Sequence, residues 1–170
     1  MLNWRQVCNG LNLTGVGRQD LLELPITALF ASRQCSGAAI RAAMQWAMQQ
    51  ARERIVVASG FHAPLEQSVL KLLLEARSPV VVMLARPVQG ARLSPPWTGS
   101  LAQGSLAVVS TAKVVARLTN KSAAVRNDQV AQLATRIVVA HASPGGGLAA
   151  LCDQWRQAGR SVESLLTVVT

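Results

Sequence analysis

The chain of 170 residues has no tyrosine, and aromatic residues make up only 4% of it. Trp4, Phe30, Trp46, Phe61, Trp97 and Trp155 are the whole supply of rings. That is thin for the interleaved basic and aromatic platform on which single strands stack. Ligand atoms for metals are equally scarce. His62 and His141 are far apart, and Cys8, Cys35 and Cys152 form no C-x-x-C pair. No metal site and no cofactor is expected from such a set. An odd number of cysteines, with no signal-type start, points to reduced thiols in a cytoplasm. Eight acidic residues leave a two-carboxylate hydrolytic mechanism little to draw on. Long apolar runs are missing too. Val80 to Ala85 and Ile137 to Ala140 fall far short of the ~20 residues that cross a bilayer, so no membrane partner is expected.

What is present is a hydrophobic, arginine-rich chain. Half the residues are hydrophobic and 15% are charged, which excludes a disordered tail. The length suits one domain with a proper core. Fourteen arginines and three lysines give a net charge of +9, which allows a polyanionic partner. Between Arg77 and Arg136 lie eight basic residues, opposed by Asp128 alone. Lys113, Arg117, Lys121 and Arg126 of this stretch are candidate nucleic-acid contacts, with a solvated basic face as the alternative.

Residues 1–24 read as a polar N-terminal extension, with a loop at Leu13 to Gly17 and a helical stretch at Gln19 to Leu24. Residues 25–170 read as alternating strands and helices. Ile26 to Ala31, Arg54 to Gly60, Val80 to Ala85, Leu106 to Ser110 and Arg136 to Ala140 are continuous apolar strands, and a last β-like stretch starts near Ser161. Ser36 caps a helix carrying Ile40, Ala43, Met44, Ala47, Met48 and Ala51, all expected in the core. Leu65 to Ala76, Val125 to Ala134 and Leu148 to Trp155 supply further inward helix faces. Residues 86–104 and 111–124 read as loops. Strands that are apolar throughout are buried on both faces. The pattern therefore predicts an α/β, Rossmann-like, doubly wound and mainly parallel sheet with helices on both faces.

Such a sheet binds ligands beyond the carboxyl ends of its strands. Four turns leave those ends: Ser32-Arg33-Gln34-Cys35-Ser36-Gly37, Ser59-Gly60-Phe61-His62, Ala85-Arg86-Pro87 and Ser143-Pro144-Gly145-Gly146-Gly147. Two carry arginine, and two precede a helix whose N-terminus favours an anion. Each turn alone also suits an ordinary strand end. Together they predict a nucleotide-like or other anionic ligand. No G-x-G-x-x-G or P-loop pattern occurs, so an ordinary dinucleotide or P-loop site is disfavoured. His62 reads as a cap or as a reactive group, and His141 as a core or rim histidine. Glu66 is a ligand group, a solvated acid, or a partner of Arg33 or Arg126. No spacing suggests catalytic residues.

Several segments in order resemble the DprA/Smf DNA-processing family. Phe30-Ala31-Ser32-Arg33 is similar to its G-S-R, and Val57-Ala58-Ser59-Gly60 with Glu66 to its S-G-x-A-x-G-I-D. Arg126 to Ala134 is similar to R-N-R-I-I-A-x-L-S, and Ser143 to Leu148 to S-G-S-x-x-T-A. Short stand-alone relatives share S-R-x-C-P, S-G-F-H-S-x-x-E and A-R, here at Ser32, Ser59 and Ala85. The resemblance covers about residues 24–166. It implies a cytoplasmic Rossmann-fold protein of the SMF/DprA–LOG superfamily, also called SLOG. It also implies DNA processing or recombination and binding of single-stranded DNA or a nucleotide. Full-length relatives dimerise and load RecA, so a homodimer is a further implication. The implied ligand positions are Ser32, Arg33, Ser59, Gly60, Glu66, Arg126, Asn127, Gly145 and Gly146. The turns add Ser36, His62, Arg86, Ser143 and Gly147. Ala31 and Asp128 depart from the family pattern, and an acid at 128 is expected to weaken attraction for phosphate. The flanking helical domains of many relatives have no expected counterpart, which favours ligand binding over a full mediator role. The LOG phosphoribohydrolases carry P-G-G-x-G-T-x-x-E. Here Pro144-Gly145-Gly146-Gly147 is followed by Leu148-Ala149-Ala150-Leu151-Cys152, without the Thr or the Glu, so a nucleotide-hydrolase remnant or small-molecule sensor stays the alternative and no enzyme is expected.

Overall fold

The computed structural model describes residues 2–166. Met1 and the last four residues of the expected 25–170 domain lie outside the described residues. The strands are β1 (Trp4–Cys8), β2 (Leu11–Gly17), β3 (Ile26–Ala31), β4 (Val56–Ser59), β5 (Val80–Met83), β6 (Leu106–Ser110), β7 (Arg136–His141) and β8 (Val162–Ser164). The helices are α1 (Gly37–Glu53), α2 (Pro64–Glu75), α3 (Pro95–Gln103), α4 (Asn120–Leu133) and α5 (Gly147–Gln157). One sheet runs in the order β1-β2-β6-β5-β4-β3-β7-β8. Strands β3 to β8 are parallel, while β1 and β2 are antiparallel additions at one edge.

The continuous apolar strands are explained by two cores. Ala28, Phe30, Ala58, Val81, Val109 and Val139 face α4 and α5. Their neighbours Leu29, Val57, Val82, Val108 and Val138 face α1, α2 and α3. Period-two alternation sends successive side chains to opposite faces, so every position must be apolar. The chain winds from β3 outward to β6, then returns to place β7 on the other side of β3. That reversal is the topological switch point where such sheets open a crevice.

Four expectations change. Residues 4–17 are no extension and Leu13 to Gly17 no loop. They form a hairpin whose second strand pairs with β6, from Thr14 opposite Ser110 to Gly17 opposite Ala107. Its turn, Asn9-Gly10, has φ of 47° and 80°, and Asn-Gly in a two-residue turn is a strong hairpin signal. The turn is pinned to α4: Asn9 Nδ2 donates to Leu133 O at 3.1 Å, and Gln132 Nε2 to Asn9 O at 2.7 Å. The 86–104 loop contains α3, because Pro95 and Pro96 sit in the first turn, where a missing N–H costs nothing. α4 begins at Asn120 and not near Val125. Thr119 Oγ1 accepts from Ser122 N, and Ser122 Oγ accepts from Thr119 N, a reciprocal cap. On α1, Ala39, Ala43, Ala47 and Gln50 turn inward, while Ile40 and Met48, expected in the core, are exposed.

The hairpin depends on a close fit. Trp4 Nε1 donates to Gly17 O at 3.0 Å with its ring against Gly15. Gly17 has φ +89° and no room for a Cβ beside Leu106 O. Gly17→Ala is expected to destabilise the protein by at least about 1–3 kcal/mol, through strain and a loosened edge. Urea unfolding checks the magnitude, and hydrogen exchange should show β1 and β2 losing protection first.

Candidate functional site

A cleft of about 530 Å³ opens at the switch point. Its floor is the end of β3 with Ala31 and Ser32. One wall is the turn after β4 and the start of α2; the opposite wall is α4 and the turn before α5. Arg33, His62, Glu66, Ala85, Thr119, Asn120, Ser122, Arg126, Asn127, Ser143 and Gly147 line it.

Glu66 ties the floor to the first wall. Its Oε2 accepts from Ala31 N at 2.9 Å, and its Oε1 accepts from His62 N at 3.0 Å and Ala63 N at 3.1 Å. Helix α2 starts at Pro64, which places Glu66 at the third position, where a glutamate reaches back to the cap. It is neither solvated nor ion-paired with Arg33 or Arg126. Burial pushes its carboxyl up, while the amides from Ala31, Ala63 and His62, and then the Arg126 charge, pull it down; burial prevails. Ser32 makes a second tie. Its N donates to His141 O and its Oγ accepts from Ser143 N, both at 2.8 Å, which fastens β3 to the turn after β7.

Arg126 lies in the middle of α4, two turns after Thr119, so that the 119, 122/123 and 126/127 positions form one stripe facing the cleft. It is 5% exposed. Its Nη2 donates to Asn127 Oδ1 at 3.2 Å, and its Nε has no hydrogen-bond partner among the described residues. The guanidinium lies against Gly60, where a Cβ would collide with it. Burial pushes its pKa down, against the pull of Glu66. At the mouth, partial burial and then Arg126, Arg33 and Arg86 hold the exposed His62 below the usual histidine range, so three guanidinium charges converge there.

The residues of the four turns divide between the cleft and the framework around it. Ser32, Arg33, His62, Glu66, Arg126, Asn127, Ser143 and Gly147 line the cleft. Ser36 instead caps α1, its Oγ accepting from Ala39 N at 3.1 Å. Ser59 is fully buried, and its Oγ accepts from Phe61 N. Gly60 acts as the seat of Arg126. Gly145, at φ +75°, and Gly146 shape the turn into α5 without lining the cleft. Arg86 is exposed beside Ala85, and Arg117 and Lys121 are exposed near the start of α4. Lys113 lines a separate groove. Asp128 faces away: its Oδ1 accepts from Trp155 Nε1 at 2.8 Å, and Trp155 packs on Phe30. It anchors α5 rather than opposing phosphate at the cleft. Arg77 precedes β5 and Arg136 opens β7, at the opposite sheet edge, and Arg136 pairs with Glu163. The basic stretch is thus less concentrated at the ligand edge than its sequence suggests.

Sequence reasoning missed Thr119, Asn120, Ser122 and Ala123, which bring the α4 N-terminus to the cleft; the Thr119/Ser122 cap spacing was the available signal. No group of three metal-ligating side chains occurs among the described residues. Burial raises all three thiols, which disfavours their reactive form.

Fold and cleft define the class: a Rossmann-like protein with a cationic crevice at its switch point. The chain belongs to the family described as DNA recombination-mediator protein A, whose sequence profile matches residues 9–168. No curated protein matches it in sequence. Among solved structures it is similar to DNA processing protein A from Streptococcus pneumoniae, with TM-score 0.75 and 19% identity over 93% of this chain. The chain spans only 56% of that protein's length. It is also similar to DNA processing protein A from Helicobacter pylori, whose structure concerns a single-stranded DNA binding mode. The TM-score there is 0.78 at 13% identity, covering 99% of this chain and 82% of that one. A more distant likeness, TM-score 0.55 at 15% identity over 82% of this chain and 75% of that one, is to a molybdenum cofactor carrier protein from Chlamydomonas reinhardtii. No helix among the described residues is long and apolar enough to cross a membrane.

Gly60→Ala is expected to displace Arg126 from its seat. Anion binding should fall as far as in Arg126→Gln, with the midpoint of thermal unfolding moved only modestly. Parallel binding and melting curves check this. A Gly60→Ala protein that binds like the parent contradicts the seat.

Proposed function

We propose that the cleft binds the phosphate backbone of single-stranded DNA and that Arg126 is its central contact. The observation that carries the reading is the buried Arg126 with an unpartnered Nε, in a crevice where the helix N-termini of α4 and α5 meet. A guanidinium offers a fixed fork of donors to phosphate oxygens. Arg33, His62 and Arg86 surround it, and Ser32, Ser143 and Gly147 supply polar and backbone groups. Arg117 and Lys121, near the start of α4, extend the charge. The lining contains no Trp or Phe, so phosphates rather than stacked bases provide the affinity and sequence preference is weak. The H. pylori relative's binding of single-stranded DNA favours that ligand over other polyanions.

The reading is of a binding protein, because the one carboxylate of the lining, Glu66, is occupied by three amides. The three free cysteines support a cytoplasmic setting. A homodimer is part of the same reading, and the exposed Ile40 and Met48 on α1 offer apolar surface for it. The size of the cleft also suits one nucleotide, which favours a small-molecule sensor as the second reading.

Affinity for an oligothymidylate should fall linearly with the logarithm of salt concentration. Arg33→Gln should reduce that slope by about 0.7, the value for one phosphate contact on a single strand. Fluorescence anisotropy measures both. A flat salt dependence, unchanged in Arg33→Gln, sinks the proposal. A mononucleotide that raises the melting temperature, with no oligonucleotide binding at low salt, favours the sensor.

Affinity should also depend on pH. His62 is held low in the free protein, and a phosphate beside it raises its pKa. The complex then binds more protons, so affinity increases as pH falls from the raised pKa of the complex towards the lowered one of the free protein. The same titration on His62→Gln should be flatter over that range.

A further inference from the structure

The N-terminal hairpin builds a second groove on the same sheet edge. It has a volume of about 730 Å³ and lies between β1 and β2 and the loops that follow β5 and β6. Arg5, Gln6, Asn12 and Thr14 line it from the hairpin, and Gln89 and Lys113 from the loops. No acidic residue contributes to its lining.

Two segments connect this groove to the cleft. Ala85 lines the cleft while Pro87 and Val88 line the groove, so Arg86, exposed between them, stands on the ridge. Likewise Thr111 to Lys113 line the groove, and Leu118 to Asn120 line the cleft. The segment between carries Arg117 and two valines, Val114 and Val115, that are exposed.

Cations without an acidic partner run along this path. Arg18, Arg136 and Arg156 form ion pairs. Arg54 donates to Arg77 O, and Arg160 to Ala131 O and Ala134 O. All five serve the fold. Arg5, Arg33, Arg86, Lys113 and Arg117 have no acidic partner among the described residues, and they lie along the two concavities and the ground between them. Uncompensated like charges repel one another, and a polyanion laid along them relieves that repulsion.

We propose that the hairpin groove is a second subsite for the phosphodiester backbone, occupied by the continuation of the strand held in the cleft. Arg5 and Lys113 contact its phosphates, and Arg86 carries the strand over the ridge. The exposed Val114 and Val115 offer apolar surface to the bases of the connecting stretch. This rests on the cleft being a strand-binding site.

The test compares oligothymidylates of about four and about sixteen nucleotides, the span of common single-strand site sizes, by fluorescence anisotropy over a salt series. In the parent protein the long strand should bind more tightly and with a steeper salt slope. The Arg5→Gln/Lys113→Gln double variant should lose most of the long strand's advantage over the short one. Its long-strand slope should drop by about 1.4, two contacts at about 0.7 each. Both side chains are exposed and unpaired, so far-ultraviolet circular dichroism should match the parent. If the short strand binds with dependence on Arg33 and the double variant retains the full long-strand advantage, the second subsite is overturned and the cleft stands. If neither strand binds at low salt, the cleft reading and this one fail together.

Discussion

One buried carboxylate fixes the geometry on which the site depends. Glu66 accepts three backbone amides from two parts of the chain: the end of β3 and the turn between β4 and α2. Those bonds set the distance between the floor and one wall of the cleft. They also hold the turn in a conformation with φ +49° at Phe61, a costly value for a bulky residue. Gly60, the residue before it, leaves the space in which Arg126 lies. The carboxylate therefore acts through position, and the arginine it helps to seat is the group left free for a ligand.

The energetic balance follows from the same pair. Glu66 and Arg126 are both buried, yet they form no ion pair. An unsatisfied buried donor costs roughly 1–3 kcal/mol, more when charged. Arg126 keeps that cost in the free protein, since its Nε is unpartnered. An anion that supplies the missing acceptor recovers it once the guanidinium turns from Gly60, against which its Nε is packed, to admit an oxygen. Glu66, saturated by amides, has no comparable deficit. The asymmetry explains why a cleft containing an acid still suits an anion.

Much of this was legible in the sequence. Unbroken apolar strands announced a doubly covered parallel sheet, and the Ser32, Ser59 and Ser143 turns marked the edge at which it opens. Hairpin, α3 and the start of α4 were less visible. The Asn9-Gly10 turn was a readable signal, but its strands bury only one face and carry weaker patterning. Pro95-Pro96 looked like loop punctuation because proline both breaks helices and begins them. The roles of Ser36, Ser59 and Gly60 are tertiary. Nothing in S-G-F-H reveals that its glycine accommodates an arginine far along the chain. Asp128 shows the converse, since its helix-mate Arg126 faces the cleft while it turns to Trp155.

The central claim is that Arg126 is a buried donor waiting for a phosphate. Arginine side-chain NMR tests it most directly, by following the Nε–H resonance of Arg126 during titration with an oligothymidylate. The account predicts a large, saturating shift of that resonance and slower exchange of its proton with water. An Arg126 resonance that stays unmoved while those of the exposed arginines shift would contradict it.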